Sequence, residues 1–258
     1  MRLSNWISAA CAAIFIVTPA AAQEWYIGGT IGVAIQDDSE NSGQTGAFTT
    51  GNLGDGSTLD VAAGTAYGWQ TEFENGVALG AEAGITYGSG LRSGIEVVYT
   101  QADVDTHTGV TLGGGDIGGL DAAALAGAAD PLGVTVADLV ADGQGEVTSL
   151  GVFANVYYDF NRGAQFQPYI GAGIGFVDVD VEYAPSNVSI IDDGETKFAY
   201  QLKAGASFQV TDTWELYGEY AYRASDDIEV DNDLFPGTLD VENQQNIFSI
   251  GARYIFGR

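Results

Sequence analysis

Non-polar residues occupy alternate positions in the last strand-like segment of the chain. Every second residue from Phe248 to Phe256 is non-polar, and Arg253 lies in the opposite phase. A period of two is typical of a β-strand whose two faces meet different surroundings. One face suits lipid and the other holds a charge, as expected of a strand that crosses a membrane within a barrel.

Eight segments show this alternation, and each is at least as long as the roughly nine to eleven residues that a membrane-crossing strand needs. The sixth segment is the clearest, because the alternation runs without a break from Phe198 to Phe208. The eight segments are 24–35, 77–87, 91–104, 147–160, 167–181, 196–210, 213–225 and 244–256.

The connections between these segments alternate between long and short. The long ones, which follow the odd-numbered segments, are 36–76, 105–146, 182–195 and 226–243. Outer-membrane barrels have short periplasmic turns and longer extracellular loops. The pattern therefore predicts an all-β fold, an eight-stranded antiparallel up-and-down transmembrane barrel with long extracellular loops.

Two stretches depart from a simple barrel strand. A ninth alternating stretch, Leu59–Phe73, would make the strand count odd, so we place it in the first extracellular loop as a strand above the bilayer. In the fifth segment the non-polar phase changes between Phe176 and Val177. This change predicts either a β-bulge or a strand tip that has left the membrane.

The long connection 105–146 contains two stretches with helical character. One is Leu120–Ala128, and the other begins with Thr135 and Asp138, spaced as in a helix-capping motif. We expect short helices in this loop.

The first residues have the order of a secretory leader. Arg2 precedes an apolar run over 7–17, and small residues end at Ala22. We therefore predict a signal peptide over 1–22 and a single barrel domain over 23–258. Since the only cysteine, Cys11, lies in the leader, the mature chain is expected to hold no disulfide.

The chain is strongly acidic, with 35 acidic and 8 basic residues. This charge excludes nucleic acid as a natural partner, because phosphate binding needs the opposite sign. Five basic residues fall in the strand phase opposite the apolar one, and they are Arg92, Lys197, Lys203, Arg223 and Arg253. Three acidic residues share that phase, namely Glu82, Glu96 and Glu219.

These side chains are expected to point into the barrel. The predicted structural charge network consists of Glu82, Arg92, Glu96, Lys203, Glu219, Arg223 and Arg253. An eight-stranded barrel has an interior only just wide enough for side chains, which favours a filled lumen over a charge-lined pore. A narrow porin-like channel for small solutes remains the alternative.

Most other acidic residues lie in the long connections, for example Asp192, Asp193, Asp226 and Asp227. They fit a solvated acidic surface, and divalent cations that bridge them to one another or to lipopolysaccharide are candidate partners. No calcium-loop pattern is complete, so the sequence predicts no metal site and no cofactor.

His107 is the only histidine and lies where the third strand leaves the membrane. A surface lipid hydrolase or protease could use it as a general base, which is a third and minor functional alternative. No nucleophile spacing accompanies it, so we predict no catalytic residues and expect this histidine to be solvated.

Several stretches together resemble a known family, the small outer-membrane β-barrel proteins related to the transmembrane domain of outer membrane protein A, in particular the alphaproteobacterial surface-antigen type. The stretches are Trp25–Gly29, Asn155–Phe160, Pro168–Gly175, Phe198–Gln201 and Gly251–Phe256. They reach along nearly the whole mature chain.

The resemblance implies an eight-stranded barrel in the outer membrane of a Gram-negative bacterium, with roles in envelope integrity, adhesion or immune recognition. Its implied partners are the lipid bilayer, lipopolysaccharide and the barrel-assembly machinery. Two departures are that Gly257 and Arg258 follow the closing aromatic residue, and that no peptidoglycan-binding domain follows. We predict a non-enzymatic barrel that contributes to envelope integrity and presents acidic loops.

Overall fold

Strands make up most of the computed structural model, which describes residues 23–187 and 189–257. The predicted signal peptide, 1–22, lies outside the described residues. The strands are β1 Gln23–Gln36, β2 Ser39–Thr45, β3 Phe48–Thr49, β4 Asp60–Val61, β5 Ala66–Phe73, β6 Gly76–Tyr87, β7 Leu91–Leu112, β8 Gly115–Asp116, β9 Gly145–Asp159, β10 Phe166–Tyr183, β11 Ile191–Gln209, β12 Trp214–Ser225, β13 Ile228–Asp231, β14 Gly237–Val241 and β15 Gln244–Ile255. The helices are α1 Ala123–Ala126, α2 Val136–Val140 and a 3-10 turn, Pro185–Asn187.

Eight of these strands correspond to the eight predicted segments, namely β1, β6, β7, β9, β10, β11, β12 and β15. Most boundaries agree within two residues. The largest difference is in β7, which continues to Leu112 and spans 22 residues. Residues 105–112 are therefore strand, where the sequence predicts the start of a loop.

The eight long strands pair antiparallel in a cycle. Along the chain, β1 pairs with β6, β6 with β7, β7 with β9, and β9 with β10. The cycle continues from β10 through β11 and β12 to β15. The last strand then pairs with the first, with Ile27 opposite Tyr254. Most of the backbone donors and acceptors of these strands are satisfied by this arrangement.

The outward face of the paired strands is apolar over much of its height. In β10, for example, Ile170, Ile174 and Phe176 are 54–57 % exposed, whereas the alternating Tyr169 is 2 % exposed. Successive side chains of a strand point to opposite faces, so one apolar face implies a separate interior face. No helix among the described residues is long and apolar enough to cross a membrane.

Several of the paired strands continue past the apolar outer face at the end where the long connections lie. We call this region the extension. We define the extension as β2, β5, β13 and β14, the ends 103–112 of β7, 177–183 of β10 and 191–197 of β11, and the helices α1 and α2. Its strands pair in the order β13, β14, β2, β5, β7. Leu59–Phe73 was predicted as a strand above the bilayer, and part of it forms β5 in this sheet.

The interior of the extension is apolar. Its buried residues include Val104, Val110, Val136, Val140, Val179, Val181, Tyr183, Ile191, Ile228, Val230, Leu239 and Val241. Thr135 is the N-cap of helix α2, and its Oγ1 accepts a hydrogen bond from the Asp138 N–H at 3.1 Å. This short helix, which the sequence predicts, buries Val136 and Val140 against the sheet.

The change of phase in β10 is not a β-bulge. The register of β10 with both β9 and β11 runs without a shift from Tyr169 to Tyr183. Side chains of Val177, Val179 and Val181 are buried, while Asp178 and Asp180 face outward. The backbone therefore keeps its alternation, and it is the apolar face that changes sides, as in a strand tip that has left the membrane.

The substitution Val179→Asp tests the apolar core of the extension. Val179 is 1 % exposed, so an aspartate there should destabilise the extension by about 3 kcal/mol. We expect protease cleavage within residues 36–75 and 226–243, with the eight-strand cycle still folded. The matched control, Asp180→Asn on the outward face, should resist protease like the wild type. Equal resistance of Val179→Asp would contradict the assignment of this interior.

Candidate functional site

Inward-facing charged side chains from several strands meet inside the cycle of eight strands. At the centre, Lys203 on β11 donates to Glu96 Oε1 at 2.7 Å and to Glu219 Oε1 at 2.9 Å. The Gln201 amide donates to the second oxygen of Glu96 at 2.7 Å. One buried ammonium is thus held between two carboxylates, which is the condition under which a buried charge is tolerated.

Arg92 forms the second centre of this interior. Its guanidinium contacts Asp159 Oδ1 at 3.3 Å and Glu82 Oε1 at 3.5 Å. Its Cζ lies 3.8 Å from the ring centroid of Tyr157 and 5.0 Å from that of Tyr169. With 1 % exposure, this arginine combines two ion pairs with cation–π contacts, which are stronger away from water.

Asn155 joins the two centres. Its amide donates to Glu82 Oε2 and to Glu96 Oε2, both at 3.0 Å. Glu82 also accepts hydrogen bonds from the hydroxyls of Tyr26 and Tyr157. Together these contacts connect five of the predicted residues, Glu82, Arg92, Glu96, Lys203 and Glu219. We call these five residues with Asn155 the lumen network.

The other predicted residues lie inside the cycle but have different partners. Arg253 pairs with Glu215 at 3.3 Å. Arg223 donates to the side-chain oxygens of Gln201 at 3.3 Å and Gln245 at 3.5 Å. Lys197, which shares the inward phase, is half-buried and pairs at 2.8 Å with Glu195, so it belongs to the extension and not to the lumen network.

Sequence reasoning missed two acidic partners, Asp159 and Glu215. Both lie in the same strand phase as their predicted neighbours, since Asp159 follows Asn155 by four residues and Glu215 precedes Glu219 by four. Applying the alternation to the ends of the strands would have found them. Which acidic residue pairs with which basic residue could not be predicted in this way, because the pairing depends on the register between strands.

Inward glycines leave room for the lumen tyrosines. A Cβ at Gly171 would lie 2.3 Å from Cδ1 of Tyr157, and one at Gly205 would lie 2.6 Å from Cζ of Tyr169. The lumen cavity bordered by Arg92, Glu96 and Lys203 has a volume of about 10 Å³, which is room for about one water molecule. Tyrosine side chains packed over glycines thus fill this part of the interior.

The acidic side chains outside the cycle are spread over the extension. Asp178, Asp192 and Asp193 lie near Asp180, and partial burial together with these like charges raises the pKa of Asp180. Within the described residues, no group of three or more histidine, cysteine, aspartate or glutamate side chains could hold a metal ion.

His107 is buried in the extension, and the expectation that it is solvated is wrong. It lies on β7 and is 3 % exposed. Its Nδ1 lies 2.8 Å from Thr71 Oγ1, and its ring packs against Tyr183 at 4.8 Å between ring centroids. Burial lowers the pKa of His107 to about 4, although the charge of Asp142 opposes this shift. The imidazole is therefore neutral near pH 7.

The lowered pKa of His107 predicts that the extension loses stability in acid. Its pKa falls from 6.5 to about 4 on folding, so the unfolded extension binds the proton more readily below pH 6.5. The stabilisation is full above pH 6.5 and decreases by about 3 kcal/mol as the pH falls to 4. Hydrogen exchange of β5 and β7 measures this change, and His107→Phe should flatten it. Identical pH profiles of variant and wild type would contradict the prediction.

Comparisons with known proteins agree with this architecture. A family model described as the outer membrane protein β-barrel domain matches residues 7–256. Outer membrane protein PagN of Salmonella typhimurium is 26 % identical over 113 residues, covering 40 % of this chain and 47 % of PagN. The chain thus matches about half the length of this relative.

A solved structure is similar over nearly the whole chain. The outer membrane protein OprG of Pseudomonas aeruginosa has a TM-score of 0.56 and 14 % identity, and the match covers 92 % of this chain and 97 % of OprG. At this identity the likeness concerns the fold. Because the family model covers almost all of the sequence, the chain belongs to the outer membrane β-barrel domain family and is a protein of the Gram-negative outer membrane.

Proposed function

We propose that this chain is a non-enzymatic, eight-stranded transmembrane barrel with a closed lumen, which contributes to the integrity of the outer membrane and presents the extension outside the cell. The cycle of pairings from β1 to β15 and back supports a closed barrel of eight strands. The observation that carries the proposal is the filled lumen around Arg92 and Lys203, with about 10 Å³ of free space.

The lumen network acts as a plug that is fixed by charge. Lys203 and Arg92 each contact two carboxylates, and moving either cation aside would leave buried carboxylates unpaired. The penalty for such unpaired charges is several kcal/mol, about 3–5 for the loss of one partner. Thermal motion therefore rarely opens a water path through the barrel.

The extension is the part suited to contacts outside the cell. Barrels of this kind have their long connections on the extracellular side, and the extension is built from those connections. Its acidic surface keeps neighbouring molecules of like charge apart. Divalent cations could link it to lipopolysaccharide phosphates, because carboxylate oxygens suit such cations.

Two finer features of the proposal rest on the resemblance in sequence. One is the subtype, a surface antigen related to the transmembrane domain of outer membrane protein A. The other is insertion by the barrel-assembly machinery, with the closing strand ending at Phe256 before Gly257 and Arg258.

The environment of His107 supports a protein that is not a hydrolase. A general base must reach a proton on its substrate or nucleophile. His107 instead bonds Thr71 and packs against Tyr183 in the buried core. The only space beside its ring that the structure describes is a cavity of about 30 Å³, which is too small for a peptide segment or a lipid chain.

Single-channel recording tests the closed lumen. The folded mature protein in a planar bilayer should show no discrete conductance steps, since side chains fill the path. The double variant Glu96→Ala with Lys203→Ala removes the centre of the plug together with its charge and should produce steps. Heat-modifiable migration on gels verifies folding of each sample. Steps in the wild type would replace the proposal with a narrow channel for small solutes.

The energetic role of the lumen network is tested by Lys203→Met. This change leaves Glu96 and Glu219 without their cation and should lower the free energy of unfolding by about 3–5 kcal/mol. Lys197→Met is the matched control, because its half-buried pair with Glu195 should contribute at most about 1 kcal/mol. Denaturant titration in detergent measures both, and equal losses would argue against a plug held by charge.

A further inference from the structure

The extension contains an apolar cavity that the closed-barrel proposal does not use. The buried residues Tyr67, Trp69 and His107 line its inner part, and its volume is about 30 Å³. Further lining residues are the half-buried Leu112, Ile117, Leu125 and Leu234. Because these four side chains are partly exposed, the cavity reaches the solvent along them.

Three residues that line this cavity each have a buried polar atom without a hydrogen-bond partner among the described residues. These atoms are Nε1 of Trp69, Nε2 of His107 and Nδ2 of Asn232. Trp69 and His107 are 8 % and 3 % exposed, and their rings meet edge to face with centroids 6.3 Å apart. Unpaired buried polar groups are costly, so such atoms at a cavity wall indicate a ligand.

The Trp69 nitrogen is a donor, and the role of the His107 nitrogen depends on the hydrogen bond at Nδ1 of the same ring. The Asn41 amide donates to Thr71 Oγ1 at 2.6 Å, and this oxygen lies 2.8 Å from His107 Nδ1. If Thr71 donates its own proton to Nδ1, the neutral imidazole carries its proton on Nε2, and Nε2 is then a donor. The indole Nε1–H of Trp69 is always a donor.

We propose that this cavity binds a small uncharged molecule with an apolar body and one hydrogen-bond acceptor, such as a ketone, aldehyde or ether oxygen. Only the acceptor end would enter the space of about 30 Å³, beside Trp69 Nε1 and His107 Nε2. The apolar body would lie in the opening along the half-buried leucines. The cavity lining includes no side chain that is charged at neutral pH, so an ionised ligand would lose its hydration without a counter-charge.

The experiment uses the indole N–H signals of the full mature protein in lipid nanodiscs. The probes are cyclopentanone and methylenecyclopentane, which have nearly the same shape, but only the ketone has a strong acceptor. Trp25 and Trp214 are 58 % and 48 % exposed on the outer face, so their indole signals report partitioning into lipid. Trp69 reports the cavity in the same sample.

Cyclopentanone should move the Trp69 indole proton downfield with saturation, and it should bind at least about tenfold more tightly than methylenecyclopentane, as one to two hydrogen bonds imply. His107→Phe removes one donor and should weaken cyclopentanone binding by about tenfold. Val110→Phe fills the cavity and should abolish the shift.

The proposal is overturned if the three tryptophan signals shift in parallel, because the ketone then only enters the lipid. It is also overturned if the two probes bind equally, or if Trp69 does not respond because ordered water fills the cavity. These readings come from the wild type, so a variant that fails to fold leaves the test intact.

Discussion

A β-strand alternates its side chains between two faces, and that alternation continues wherever the strand goes. The long strands of this protein cross lipid and then enter water. The outer face is apolar in lipid and the inner face is apolar in water, while the backbone keeps the same alternation. In β10 the change falls between Phe176, which faces outward, and Val177, which faces inward. The wall therefore encloses polar side chains in the membrane and apolar side chains in the extension.

The interior of the cycle is polar within the membrane because the outer face of the strands is apolar there. Charged side chains on the lipid face would cost about 2–4 kcal/mol near the membrane centre, and the interior holds them only when they are paired. Lys203 between two glutamates and Arg92 between Asp159 and Glu82 meet this condition. The apolar interior of the extension is the ordinary core of a protein in water, and it explains why His107 is buried and neutral.

Alternation and loop length predicted the eight long strands, their antiparallel order and the inward phase of the charged residues, because these properties are local. Pairing within the extension is not local. Gly237 in β14 pairs with Thr45 in β2, although each lies in a connection without a strong pattern. His107 is buried by Trp69, Thr71 and Tyr183 from other strands. Its sequence neighbours, mostly polar, suggested solvent instead.

The exchange of faces along β10 can be measured directly with spin labels at single cysteines in lipid, since residues 23–258 contain no cysteine. Labels at 170, 174 and 176 should be accessible to oxygen, which is enriched in lipid. Labels at 178, 180 and 182 should be accessible to a water-soluble nickel reagent, and labels at 177, 179 and 181 to neither. Two results would contradict a continuous wall whose interior is polar in the membrane and apolar in the extension. One is oxygen accessibility that continues through 182, and the other is a shift of the accessible labels to odd positions after 176.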